Sequence, residues 1–206
     1  MIKKKVTDIL FARHAESKHN PERIYSSRPE NDKGLTTRGK RLARQLAKRL
    51  KKEGVNTIYS SHLPRCLQTA EIVSKVLKKK VIVNKNFREP NMGKFELMRE
   101  VEIEKEFPSL AEKWFHGDIT NIGAGESFKS AQKRVWQELE KVSKKHKGNK
   151  ILIVTHQAPI KFIVCKLFGS LKFFNDFSLS NASLTLLIKK GKNYKLRYLN
   201  DTSHLR

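Results

Sequence analysis

Two histidines, two arginines and one glutamate in this 206-residue chain stand where side chains can act together on an anion. Arg13-His14 follows an apolar, strand-like run from Val6 to Ala12. Ser60-Ser61 follows a second run, Asn56 to Tyr59, with Arg65 one helical turn further on. Glu89 lies a few residues past a third, Val81 to Val83, and His156 follows a fourth, Ile151 to Thr155. In open α/β sheets, ligands bind beyond the carboxyl ends of the strands, so these side chains are expected to converge on one rim. The set suits phosphoryl transfer. Arginine forks neutralise phosphoryl oxygens through directional hydrogen bonds. A neutral imidazole can attack phosphorus, and Arg13 and Arg65 are expected to disfavour the imidazolium of His14. A carboxylic acid can protonate the leaving alkoxide, and Glu89 beside a phosphate dianion should have a raised pKa. Glu96, in the same loop, is the rival carboxylate. Helix N-termini after the second and fourth strands would add N–H groups suited to an anion. No cofactor or metal is called for, and the chain shows no metal-ligand spacing.

These residues need elements to hold them. Leu42, Leu46 and Leu50 recur every four residues between Thr36 and Lys52, which predicts a helix capped by Thr36. Gly54 stands where its C-terminus wants a residue free to take positive φ. A second helix is predicted from Leu63 to Leu77, with Ser61 as its cap. The stretch from Asn86 to Gly125 reads as irregular, with short helices over Glu100 to Glu106 and Ser109 to Phe115. A long helix follows from Ser127 to Lys145, and another from Pro159 to Phe168, where proline suits the first turn. Leu184 to Ile188, a turn at Lys190-Gly191-Lys192, and Tyr194 to Leu199 read as a hairpin. The continuous apolar run Ile151 to Thr155 marks a strand covered on both faces. The alternation predicts an α/β fold: a three-layer α/β/α sandwich with a mostly parallel central sheet and an antiparallel C-terminal hairpin. One domain over residues 1–206 is expected.

The segment Arg13-His14-Ala15-Glu16-Ser17, with Asn20, resembles the Arg-His-Gly motif of the histidine phosphatase superfamily, which includes the cofactor-dependent phosphoglycerate mutases. Further segments match the family's pattern in order: Leu35-Thr36-Thr37-Arg38-Gly39; Tyr59-Ser60-Ser61-His62-Leu63-Pro64-Arg65 with Thr69-Ala70; Glu89 with Gly93 and Glu96; Gly125-Glu126-Ser127; and Val154-Thr155-His156. The tail, Leu199 to Leu205, is similar to that of the small bacterial-type members such as α-ribazole phosphatase-like proteins. The resemblance implies a phosphoglycerate mutase-like fold and a metal-independent phosphomonoesterase. His14 would carry the phosphoryl group. Arg13, Arg65 and His156 would grip its oxygens, with Asn20 and Ser17 as secondary contacts. Glu89 would serve as acid and then as base. Three departures stand out: Ala15 in place of the usual Gly, Gln157-Ala158 in place of a Gly-Gly type step, and Leu97 where a Gly often stands. Two other readings compete. One is a mutase, although mutases of the superfamily usually carry a longer segment after the acid. The other is a non-catalytic, basic phosphate- or nucleic-acid-binding protein on the same fold.

Composition narrows the partners. Lys and Arg number 44 against 20 Asp and Glu, a net charge of +24, which attracts anions. No aromatic residues alternate with the lysine runs and no nucleic-acid-binding signature is present, so a small phosphorylated substrate is expected rather than nucleic acid. The cysteines Cys66 and Cys165 form no disulfide framework, which suits buried, reduced thiols and a cytoplasmic setting. No segment has the length of a membrane helix, so no membrane partner is expected. Oligomeric state is not legible. Arg28, Lys94 and Ser26 are candidates for the pocket mouth. His19 and His62 are expected at the rim, His116 and His146 in solvent, and Trp114, Phe115 and Trp136 in packing.

Overall fold

The apolar runs of the sequence become a central sheet in the computed structural model, which describes residues 5–115 and 125–205. The strands are β1 (Val6–Arg13), β2 (Thr57–Ser60), β3 (Val81–Val83), β4 (Lys150–Thr155), β5 (Leu184–Lys190) and β6 (Asn193–Asp201). They lie in the order β3-β2-β4-β1-β5-β6. The first four run parallel, while β5 is antiparallel to β1 and β6 to β5. The helices are α1 (Thr37–Leu50), α2 (Pro64–Leu77), α3 (Glu100–Glu106), α4 (Pro108–Phe115), α5 (Phe128–Lys145) and α6 (Gln157–Phe168).

The pleat explains the layers. Successive strand residues point to opposite faces, and in β1 both faces are covered: Ile9, Leu10, Phe11 and Ala12 are all buried. Leu10 and Ala12 pack with Leu46 and Ala47 of α1, Val73 of α2, and Leu152 and Val154 of β4. Ile9 and Phe11 pack on the other side with Val135 and Leu139 of α5 and Ile160 and Ile163 of α6. Each such large side chain taken from water stabilises the fold by about 1.5–3 kcal/mol. A third cluster joins Phe95, Ile103 of α3, Trp114 of α4, Phe128 of α5 and Phe162 of α6 with Phe174.

The expected sandwich is thus present, with local differences. Thr36 caps α1 by accepting a hydrogen bond from the Gly39 amide (2.8 Å). Ser61, expected to cap α2, does not. That helix starts at Pro64 behind Leu63, and the Ser61 hydroxyl lies 2.8 Å from His156 Nε2. Helix α6 begins at Gln157, directly after His156 and two residues before its proline. Both cysteines are free and buried. Among the described residues no helix is long and apolar enough to cross a membrane.

Candidate active site

The carboxyl ends of β1 and β2 and the loop after β3 bring Arg13, His14, Arg65 and Glu89 together around a cavity of about 350 Å³. His14 leaves β1 with its backbone tied on both sides: its amide donates to the Thr155 carbonyl (2.8 Å) and its carbonyl accepts from the Ala182 amide (3.2 Å). Its Nδ1 donates to the Ala15 carbonyl (2.8 Å), so Nε2 carries the lone pair, which accepts a hydrogen bond from Arg65 Nε (3.1 Å). Ala15 occupies the family's glycine position without strain. Its φ is negative, and its amide donates to Thr69 Oγ1 (3.1 Å).

Arg65, in the first turn of α2, is held in a full bracket. Nη1 donates to Asp32 Oδ2 (2.7 Å) and Nη2 to the Ser26 carbonyl (3.0 Å). Arg13 donates from Nη1 to Gln157 Oε1 (3.0 Å) and to the Leu179 carbonyl. Gln157, a departure from the family pattern, therefore has a use: it holds Arg13. Glu89 Oε1 accepts from the Ala158 amide (3.5 Å), while Oε2 is buried with no hydrogen-bond partner among the described residues. Arg13, His14, Arg65 and Glu89 all line the cavity, as do Ser17 and Asn20. The Asn20 side-chain oxygen also closes a local turn, accepting from the Ser17 amide (2.8 Å) and from Asn181 Nδ2 (3.1 Å).

His156 sits differently from expectation. It is fully buried, and its ring stands edge-on to His14 with centroids 5.3 Å apart. It is not among the cavity-lining residues. Its Nε2 lies 2.8 Å from Ser61 Oγ and 3.3 Å from Cys66 Sγ. Glu96 is resolved as structural: it accepts hydrogen bonds from the Ser27 amide and hydroxyl, the Arg28 amide and the Asn31 side chain. Among the described residues no group of three or more His, Cys, Asp or Glu is placed to hold a metal ion.

Residues 9–202 match the family model described as Histidine phosphatase superfamily (branch 1). The chain belongs to the histidine phosphatase superfamily. It is 31% identical over 199 residues to Phosphoserine phosphatase 1 of Hydrogenobacter thermophilus, covering 96% of this chain and 93% of that protein. Among solved structures it is similar to YhfR of Bacillus stearothermophilus, with a TM-score of 0.89, 27% identity, and coverage of 97% and 100%. It is also similar to a phosphoserine phosphatase of Entamoeba histolytica in complex with 3-phosphoglyceric acid, with a TM-score of 0.84, 26% identity, and coverage of 97% and 100%.

Burial dominates the electrostatics of this histidine phosphatase. It holds the His14 pKa well below the usual histidine value, and Arg65 and Arg13 push further the same way. The arginines, expected to be the cause, are the secondary one. Burial raises the Glu89 pKa against the opposing fields of Arg65 and Arg13. His156 is lowered by burial and then by Arg65. Arg13 falls to about 10, chiefly through burial, which leaves it charged at neutral pH.

Several placements differ from the sequence reading. His19 is buried and lines the cavity, whereas of Ser26, Arg28 and Lys94 only Ser26 does. His62 is half-buried and does not line the cavity. His146 is half-buried and bonded to the Tyr59 hydroxyl (2.8 Å) rather than free in solvent. The tryptophans pack as expected, Trp114 against Phe95 and Tyr25 and Trp136 against Tyr194. His116 and the side chain of Phe115 lie outside the described residues. Asp32 and Lys161 were not singled out in the sequence. A carboxylate in the turn Asn31-Asp32-Lys33-Gly34 looks like turn chemistry. A lysine within the apolar run Pro159 to Cys165 was the one available signal for the other.

Proposed function

We propose that this chain hydrolyses a small phosphate monoester through a phosphohistidine on His14. The observation that carries the reading is the His14 ring: Nδ1 is tied to the Ala15 carbonyl, which leaves Nε2 as the nitrogen with the lone pair, and His14 lines one cavity with Arg13, Arg65 and Glu89. Arg13 and Arg65 bind the phosphoryl oxygens, and Arg65 Nε exchanges its bond to His14 for one to the anion. Nε2 attacks phosphorus as the ester P–O bond breaks, and protonated Glu89 gives its proton to the leaving alkoxide. Water then attacks the phosphohistidine, Glu89 takes the water's proton, and phosphate departs. Ser17 and Asn20 hold the loop below the anion and supply secondary contacts. His156 backs the His14 ring, so its grip on a phosphoryl oxygen requires the anion to seat past that ring.

The relatives named phosphoserine phosphatase make phosphoserine the first substrate to assay, beside an aryl phosphate. Phosphate release should fall by at least about a thousandfold in His14→Ala, the scale seen when a covalent nucleophile is removed. Equal activity in that variant rules out His14 as nucleophile. Isomerisation of a phosphoglycerate faster than phosphate release would make the chain a mutase instead.

A further inference from the structure

Among the described residues, four Lys and Arg side chains line the cavity: Arg13, Arg23, Arg65 and Lys161. Three have oxygen partners. Arg13 bonds Gln157 and Leu179, Arg65 bonds Asp32, and Arg23, largely exposed, pairs with Glu100. Lys161 has no hydrogen bond or ion pair with any described residue, although only 4% of it is exposed. Its ammonium stands over the rings of Phe174 (4.2 Å) and Phe177 (5.6 Å). Ring faces offset only part of the penalty for burying a cation. A methionine of the same reach would fill the space without that penalty. The arrangement makes sense if an anion arrives with the substrate. Burial lowers the Lys161 pKa to about 8, against the opposing fields of Cys165, Glu89 and Asp176, none of which forms an ion pair with it.

Helix α6 also sets the spacing. Lys161 follows Gln157 by four residues, so the two share one face, about one turn or ~6 Å apart. Gln157 holds the Arg13 fork at the phosphoryl end. A second anion contacting Lys161 therefore lies a few atoms from phosphorus. One ammonium complements one negative charge, which fits a carboxylate; a second phosphate dianion would want forks of the kind Arg13 and Arg65 provide.

We propose that Lys161 binds a carboxylate on the substrate, which makes the site selective for phosphomonoesters of short hydroxy acids; this rests on the phosphatase reading above. The test compares kcat/KM for 3-phosphoglycerate and glycerol 3-phosphate, which differ in a carboxylate against a hydroxymethyl group, in the wild type, Lys161→Met and Lys161→Arg. The wild type should prefer the carboxylate. In Lys161→Met that preference should shrink by about ten- to a hundredfold, mostly through KM, and Lys161→Arg should restore much of it. A lysine that only supported the fold would lower both activities together and leave the ratio unchanged, which overturns the proposal, as does a wild type with no preference. A wild type that releases phosphate from neither ester nor from an aryl phosphate overturns the phosphatase reading itself. His14-dependent hydrolysis with an unaltered ratio overturns only the role of Lys161.

Discussion

The proposed nucleophile and the proposed proton donor are pulled in opposite directions by the same burial. Catalysis needs His14 neutral and Glu89 protonated. The depressed pKa of His14 keeps it neutral to well below the ordinary value of about 6.5, and the raised pKa of Glu89 keeps its proton above the ordinary value of about 4.3. The active form thus fills the interval between them, and kcat/KM should fall as pH climbs through the Glu89 pKa. Glu89→Gln should erase that alkaline limb and lower kcat by about a hundredfold or more. An alkaline limb that survives in Glu89→Gln assigns the proton to another group. His14, Arg13, Arg65 and Glu89 were legible because each follows a strand in a sheet whose carboxyl ends meet. Asp32 was not, because its value arises only where it meets Arg65, 33 positions away, in a contact of 2.7 Å. It also bonds the Gly34 amide (2.9 Å), so the local turn explains it fully to a reader of the sequence.

Between residue and fold stand the loops that seat the elements. Gly39 in the first turn of α1 lies so close to the Glu16 carbonyl that an added Cβ would come within 2.0 Å of that oxygen. The contact pins α1 to the segment just after His14, where the Thr36 amide also donates to the Glu16 carbonyl (3.0 Å). Gly39→Ala should lower stability by about 1–3 kcal/mol in denaturant melts and reduce turnover with it, because the backbone that must shift leads into His14. Unchanged stability would show that the junction yields freely. Leu97 presents the opposite case: it holds φ +67 where glycine is at ease and a Cβ is strained. Helices were legible from their apolar spacing. The short 3-10 turns at Pro29–Asn31 and Gly93–Phe95 were not, since Glu96 organises them through bonds to Ser27, Arg28 and Asn31 that no periodicity reports.

For the molecule as a whole, pH acts on stability through the buried imidazoles. His14 and His156 have folded-state pKa values below their unfolded ones. The unfolded chain therefore binds more protons as pH drops below about 6.5, and the stability present above that value is lost on acidification. The melting temperature should fall between about pH 7 and pH 5, and by less in His156→Asn. An equal fall in that variant would place the cause elsewhere, such as in self-repulsion of a chain already at +24. The sandwich itself followed from strand–helix alternation. The strand order did not, because pairing between segments far apart leaves no trace in local patterning.

That order has a consequence for how the molecule comes into being. Strand β4 lies between β1 and β2, joining Leu10 and Ile58 to Leu152. Until residues near 150 have left the ribosome, the strands that lead to His14 and to Arg65 share helix neighbours but no strand between them. A nascent chain can complete the sheet only late in its synthesis, when β4 enters between them. Folding should accordingly be slow for its size, governed by the search for one distant partner.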